Sequence, residues 1–156
     1  ELCCKMFSEV YGLETVSLRY FNVYGEKQNL GRAYATVVGI FINQILEVKP
    51  LTIKGDGSQR RDFTHVKDVV NANILASSSS KVGSGEVINI GSGENISIND
   101  LADMFGAEKK YMKPVNEPFA NLADIRKAKE LLNWEPLVDL DSWIKEYKLG
   151  NRMNIS

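Results

Sequence analysis

Gly55-Asp56-Gly57-Ser58-Gln59-Arg60-Arg61-Asp62-Phe63 is the stretch around which the chain is read. Two glycines flank an acid just after the apolar run Leu51 to Ile53, which is turn chemistry at a strand end. The stretch then closes on two adjacent arginines that lead into an apolar, strand-like tail. A turn that delivers guanidinium groups to a strand end suits a phosphate. Arginine presents a planar fork of donors matched to phosphate oxygens and stays charged at any working pH. A plainer reading competes with this one: Gly-Asp-Gly is an ordinary turn, and Arg-Arg-Asp a solvated ion pair of little energetic weight. These residues alone favour the plainer reading, and the rest of the chain reverses it.

The chain has 156 residues, enough for one domain with a core of its own. Hydrophobic residues make up 44% and charged residues 25%, the profile of an ordinary globular protein. A formal net charge of -1 offers no polyanion-binding surface, so no nucleic-acid partner is expected. No apolar run reaches the length of a membrane span, and the first residues have the wrong order for a signal peptide; no membrane partner is expected. Cys3 and Cys4 are adjacent, which fits neither a disulfide framework nor a zinc site, and points to a reducing, cytoplasmic setting. With His65 as the one histidine, multi-histidine metal chemistry is excluded and no metal site is expected. The chain starts at Glu1 inside a helical pattern, with Leu2, Met6 and Val10 in one row and Cys3, Phe7 and Tyr11 in the next, as a piece of a longer protein would.

Along the chain, helices and strands alternate. The first helix ends at Gly12, and Thr15 to Tyr20 is rich in strand-forming residues. After a polar loop through Arg32, a helix runs from about Thr36 to Glu47 and stops before Pro50. Leu51 to Ile53 and Asp62 to His65 read as short strands. A helix from Val66 to Ser77 is expected to carry Val69, Val70 and Ile74 inward. Val87 to Ile90 reads as a strand closed by Gly91-Ser92-Gly93. Ser97 and Asp100 form a capping-box pattern before a short helix that buries Leu101 and Phe105. Residues 107–123 read as an extended strap. Asp124 is expected to cap a helix over Ile125 to Leu132, and Asp139 a last helix with Leu140, Ile144 and Tyr147 inward; residues 151–156 read as a loose tail. The alternation makes the class α/β.

Several segments together resemble the extended short-chain dehydrogenase/reductases. They are Leu18-Arg19-Tyr20-Phe21-Asn22-Val23-Tyr24-Gly25, Pro50-Leu51-Thr52-Ile53-Lys54-Gly55-Asp56-Gly57, Arg61-Asp62-Phe63-Thr64-His65-Val66, Asn89-Ile90-Gly91-Ser92-Gly93, Ala123-Asp124-Ile125 and Trp134-Glu135-Pro136. Each is weak alone. Their order and spacing are specific, and they are most similar to the nucleotide-sugar epimerases and dehydratases of the UDP-glucose 4-epimerase type. The resemblance implies the C-terminal part of an extended NAD(P)-binding Rossmann fold with a small α/β substrate-binding subdomain. Residues 1–25 would end the Rossmann domain, and residues 26–156 would form the substrate-binding part, with the strand 87–90 returning to the Rossmann sheet. The glycine-rich dinucleotide turn and the Tyr-x-x-x-Lys pair of the family are upstream of such a piece, so no catalytic residue is assigned and the piece alone is expected to be inactive.

The resemblance also implies roles. NAD rather than NADP would be bound, mainly by the other half, with Tyr20 and Phe21 lining its nicotinamide end. Asn22 would touch the sugar or phosphate. Thr36 and Val37, with the helix they open, and Thr52 and Lys54 would flank the base. Arg61 would clamp the diphosphate, with Arg60 facing solvent. Relatives often place an aromatic ring where Lys54 stands, and an arginine where Pro114 stands, so Lys113 and Glu117 would complete the site with a less directional cation. The substrate expected is a UDP-sugar and the whole protein a homodimer. A 4,6-dehydratase, a reductase or decarboxylase, a non-catalytic nucleotide-sugar binder, and a short protein that joins a separate Rossmann chain stay open beside the epimerase. His65 and the two cysteines read as structural.

Overall fold

A computed structural model describes residues 1–28, 30 and 35–151; Arg32 and the tail beyond Asn151 lie outside them. α1 (Leu2–Tyr11) leads to β1 (Thr15–Tyr20) and β2 (Val23–Tyr24). α2 (Val37–Leu46), β3 (Leu51–Lys54), β4 (Arg60–Arg61) and β5 (Thr64–His65) follow, then α3 (Val66–Ser78), β6 (Ser84–Ile90), β7 (Ile96–Ser97) and α4 (Ile98–Phe105). β8 (Lys109–Met112), α5 (Arg126–Leu132) and α6 (Leu140–Gly150) complete the chain.

β1 and β6 pair in parallel, with Leu18 opposite Ile88 and Tyr20 opposite Ile90. α1 lies on one face of this pair, close enough that a Cβ on Gly85 would sit 2.7 Å from the Lys5 Cα. α3 and α5 cover the other face, over a core of Val69, Ala72, Ala76, Ile88, Ile90, Leu132 and Trp134. A second core gathers Phe41, Ile42, Leu51, Ile53, Leu101, Phe105 and Ile144 from α2, β3, α4 and α6. β2 pairs in parallel with β5, and the Tyr24, His65 and Trp143 rings meet there. The α/β class and the expected helices hold. Among the described residues, no helix is long and apolar enough to cross a membrane.

Three expectations need correction. Residues 107–123 are not wholly an irregular strap: β8 pairs in parallel with β3, from Leu51 opposite Lys109 to Lys54 opposite Met112. In α3, Val70 and Ile74 are 52% and 60% exposed. The buried row is Val69, Ala72 and Ala76, because small residues let the helix lie close to β1 and because Asp68 is drawn inside. The Asp68 carboxylate accepts from Leu137 N and Val138 N, both at 3.1 Å, while Trp134 Nε1 donates to Asp68 O at 3.0 Å. Trp134-Glu135-Pro136 is thereby docked on α3. The third concerns α5, which starts at Arg126 with no side-chain cap from its N-cap residue; Asp124 accepts from Arg126 N one residue outside.

The capping signals are met elsewhere. Ser97 and Asp100 make the reciprocal capping box, and Asp139 accepts from Ser142 N. His65 caps α3 by accepting from Lys67 N at Nδ1, which gives it the structural role read from the sequence. Ile144 is buried and Leu140 and Tyr147 are half-buried; Trp143, not singled out in the sequence, is buried with them.

Candidate functional site

The turn at Gly55 is built by its neighbours. Gly55 N donates to Met112 O at 3.0 Å, and the Asp56 carboxylate accepts from Ser58 N and Ser58 Oγ. Gly55 and Gly57 hold φ of 67° and 76°, where a side chain is strained. At Gly57 a Cβ would also strike the Asn99 side chain, whose Nδ2 donates to Asp56 O. The turn is therefore pinned to the start of α4 and to the end of β8. Pro114 leans on it, with its Cβ 3.5 Å from where a Gly55 Cβ would be.

Past the turn, β4 pairs antiparallel with β7, with Arg61 opposite Ile96. The strap runs along the other edge of β4: Arg60 N donates to Phe119 O, and Asn121 N to Arg60 O. The two arginines then diverge. Arg60 is not solvent-facing as expected. Its Nε donates to Asn95 Oδ1 at 2.8 Å and its Nη2 to Asn95 O at 2.6 Å, because its side chain lies along the loop that enters β7. Arg61 is 13% exposed at its side chain. Its Nη1 donates to Arg60 O and Phe119 O, and its Nη2 pairs with Glu117 Oε2 at 2.9 Å. A guanidinium has five donors. Nε–H and one Nη2–H of Arg61 have no protein partner among the described residues. Gln59 Nε2 reaches the other Glu117 oxygen at 3.4 Å and Lys54 O at 2.9 Å.

Glu117 is thus shared by Arg61 and Gln59, and Gln59 ties it to the Lys54 carbonyl. An open hollow of ≈ 160 Å³ lies beside them, lined by Lys54, Gly55, Gln59, Pro114, Val115 and Glu117 among others. Lys54 and Lys113 are exposed and form no ion pair among the described residues. Arg61 does not line that hollow; it lines a larger one of ≈ 420 Å³, between Phe63, Met104 and residues 136–141. Its rim carries Glu94, Asp139 and Asp141, whose charges oppose a phosphate.

The other expected site residues lie further along. Tyr20 ends β1, is 47% exposed, and donates its hydroxyl to Asn73 Oδ1. Phe21 is half-buried, and its amide extends the pairing to Ile90 O. Asn22 has φ 31°, a left-handed value that asparagine tolerates, and its Nδ2 donates to Asp62 O at 2.5 Å. Thr36 caps α2 through Gly39 N, and Val37 is the first helical residue. The Thr52 hydroxyl and amide are both held by the Gln44 carboxamide, so its side chain serves the α2–β3 junction.

The residue that the sequence did not single out is Asp62. Its carboxylate is fully buried and accepts from Ser92 N, Ser92 Oγ, Gly93 N and Ala123 N, at 2.6 to 3.1 Å. It ties the ends of β4 and β6 to the strap. Gly91-Ser92-Gly93 is therefore an anchor for an internal carboxylate. A Cβ on Gly91 would lie 2.3 Å from the Ala123 Cβ, which explains the glycine. The signal in the sequence was an acid next to an arginine and an apolar tail, which reads equally well as a surface ion pair. Among the described residues no cluster of His, Cys, Asp and Glu could hold a metal.

Comparison with known proteins gives a consistent picture. A profile of the NAD dependent epimerase/dehydratase family matches residues 1–91. A putative UDP-glucose 4-epimerase of Methanocaldococcus jannaschii is 40% identical over 148 residues, spanning 90% of this chain and 47% of that protein. A solved UDP-glucose 4-epimerase with UDP-glucose from Thermotoga maritima superposes with a TM-score of 0.85 at 36% identity, covering 97% of this chain and 51% of that one. UDP-glucuronic acid 4-epimerase from Bacillus cereus, in complex with UDP-glucuronic acid and NAD, gives 0.81 at 38% identity, covering 97% and 49%. The chain spans about half the length of the relatives it matches. With more than half of its residues matched by the family profile, the chain belongs to the NAD dependent epimerase/dehydratase family.

Proposed function

We propose that the chain is the substrate-binding half of an NAD-dependent nucleotide-sugar epimerase, and that its task is to hold the nucleotide diphosphate of a UDP-sugar. Residues 1–25 end the Rossmann domain and residues 26–156 form the substrate-binding part, a division supported by the return of β6 to pair with β1. The observation that carries the reading is Arg61. Its guanidinium is oriented by two carbonyls and a carboxylate, yet keeps two donors for an anion. Such a group holds phosphate oxygens at fixed geometry without reorganising. Lys54 and Lys113 add charge without direction at the rim, and Asn22 stands at the C-terminal end of β1, where open α/β sheets receive ligands.

Tyr20 and Phe21 stand at that same strand end and fit the rim of a dinucleotide site, since Tyr20 presents an exposed ring there. NAD bound against it would supply hydride transfer at the sugar carbon. The residues of this chain keep the nucleotide end still while the sugar reacts. Thr36 and Val37 at the start of α2, with Thr52, form the wall toward the base. The intact protein works as a homodimer in the cytoplasm on this reading.

Isothermal titration of the intact protein with UDP-glucose tests it. Arg61→Ala weakens binding by about 1.5–3 kcal/mol, the scale of a charged hydrogen bond. Arg60→Ala costs much less affinity, since it reaches Arg61 only through Asn95 and Asn121, and it lowers stability by freeing Asn95. Equal losses of affinity from both substitutions would show that the wrong arginine has been chosen. Turnover by the 156-residue chain alone would refute the division of labour.

A further inference from the structure

We infer that Asn121 is a positioning residue of the nucleotide site, fixing with one side-chain carbonyl where Arg61 and Asn22 stand relative to each other. The inference rests on the proposed role of Arg61. β4 ends at Arg61, and the amide of the next peptide needs an acceptor from outside the ladder. Asn121 supplies it: Oδ1 accepts from Asp62 N at 2.9 Å and from Asn22 Nδ2 at 3.4 Å. Asn22 Nδ2 also donates to Asp62 O at 2.5 Å, so the three residues close a ring through the backbone of Asp62, the residue after Arg61.

Asn121 itself is held without help from β1. Its N donates to Arg60 O at 3.2 Å, and its O accepts from Asn95 Nδ2 at 3.0 Å. Asn95 is in turn gripped by Arg60. One fixed carbonyl therefore holds the Asp62 amide and, with the direct Asn22–Asp62 bond, joins the end of β1 to the end of β4, segments far apart in the chain. Asn121 has no need to touch the nucleotide. A clamp is directional, and a misplacement of about 1 Å at such a group is felt strongly in binding and rate.

The test uses the intact protein, UDP as the probe, and hydrogen exchange at the Asp62 amide. Asn121→Leu keeps the size and removes the acceptor; Asn121→Asp keeps an acceptor oxygen in the same place. The leucine variant is expected to weaken UDP binding by about tenfold, the size of one hydrogen bond, and to speed exchange at Asp62. The aspartate variant retains the protection of Asp62. In an Arg61→Ala background Asn121→Leu costs UDP affinity much less than tenfold, because its effect passes mainly through Arg61, with Asn22 as the smaller route. Asn121→Ser, with a shorter reach, gives the same two readouts if the leucine variant does not fold. Unchanged exchange at Asp62 in both variants lacking the carbonyl, or a full further tenfold loss in the Arg61→Ala background, overturns the positioning role. If the unaltered intact protein binds no UDP, the nucleotide reading falls and this one with it; UDP binding with additive losses removes this one alone.

Discussion

Gly91→Ala is the most informative single perturbation of the site's frame. The added Cβ would meet the Ala123 Cβ at 2.3 Å and Asp62 Oδ2 at 2.8 Å. Carbon atoms are comfortable at about 3.5–4.0 Å, so one side must retreat by roughly 1 Å or more. Neither is free to do so cheaply. Ala123 N donates to Asp62 Oδ2 at 3.0 Å, and Gly93 N donates to the same oxygen at 3.1 Å. Overpacking costs about 1–3 kcal/mol, and a lost hydrogen bond to a buried carboxylate about 1.5–3 kcal/mol more. The total is about 2.5–6 kcal/mol. Equilibrium urea unfolding reads it as a lower midpoint at unchanged slope. Gly12→Ala is the control. Gly12 has φ 67° and nothing within 4 Å of the added carbon, so it carries the backbone penalty alone, about 1 kcal/mol. If Gly91→Ala costs no more than Gly12→Ala, the Asp62 anchor is softer than its four hydrogen bonds require, and the account of the site's rigidity is wrong.

Other consequences follow from single residues. Val48 is β-branched, 94% exposed and holds φ 53°, so Val48→Gly is expected to raise stability by about 0.5–1 kcal/mol; a lower midpoint would contradict the strain. Burial lowers the pKa of His65 below its ordinary 6.5, with Glu26 and Asp68 pulling upward and Lys67 downward. The unfolded chain then binds a proton first as pH falls, so this contribution is whole above about pH 6.5 and is lost below it. Unfolding midpoints at about pH 7.5 and about pH 5.5 should differ less in His65→Gln than in the unaltered chain, and an equal difference would exclude His65 as the source. α1 buries none of its residues, and Leu2, Val10 and Tyr11 are 86%, 65% and 71% exposed. The chain on its own is expected to self-associate, and Val10→Glu to reduce this in sedimentation; a concentration-independent monomer would speak against it.

What the sequence shows of this fold depends on length and on which atoms make the bond. α2, α3, α4 and β1 are long enough for periodicity, caps and β-branched runs to declare themselves, and Ser97 with Asp100 announces its helix by side chains alone. β2, β4, β5 and β7 have two residues each. No pattern of period two can be read from two residues, and such strands exist only because a distant partner completes them. β8 was hidden differently: Lys109-Lys110-Tyr111-Met112 lacks alternation because it packs at the rim of β3 with three of its four residues exposed. The turn of α3 about its axis is not legible in the sequence because burial there follows Ala72 and Ala76, which hydrophobicity ranks below Val70 and Ile74.

The site divides along the same line. Arg61 and Glu117 were found through motifs, and the structure joins them. The place of Arg60 is not legible because its partner, Asn95, contributes a backbone carbonyl as well as its side chain, and main-chain acceptors have no letter in a sequence. The same blindness hid Asp62, three of whose four donors are backbone amides. This has a physical consequence for the clamp. Arg61 is oriented by Arg60 O and Phe119 O, and its own peptide by Asp62 and Asn121, so its direction is set by the backbone path of β4 and the strap. Pro114, where the family resemblance leads one to expect an arginine, packs instead on the Gly55 turn. Pro114→Arg would add a directional charge but loosen the turn, and its net effect on UDP affinity reports which of the two matters more at this site.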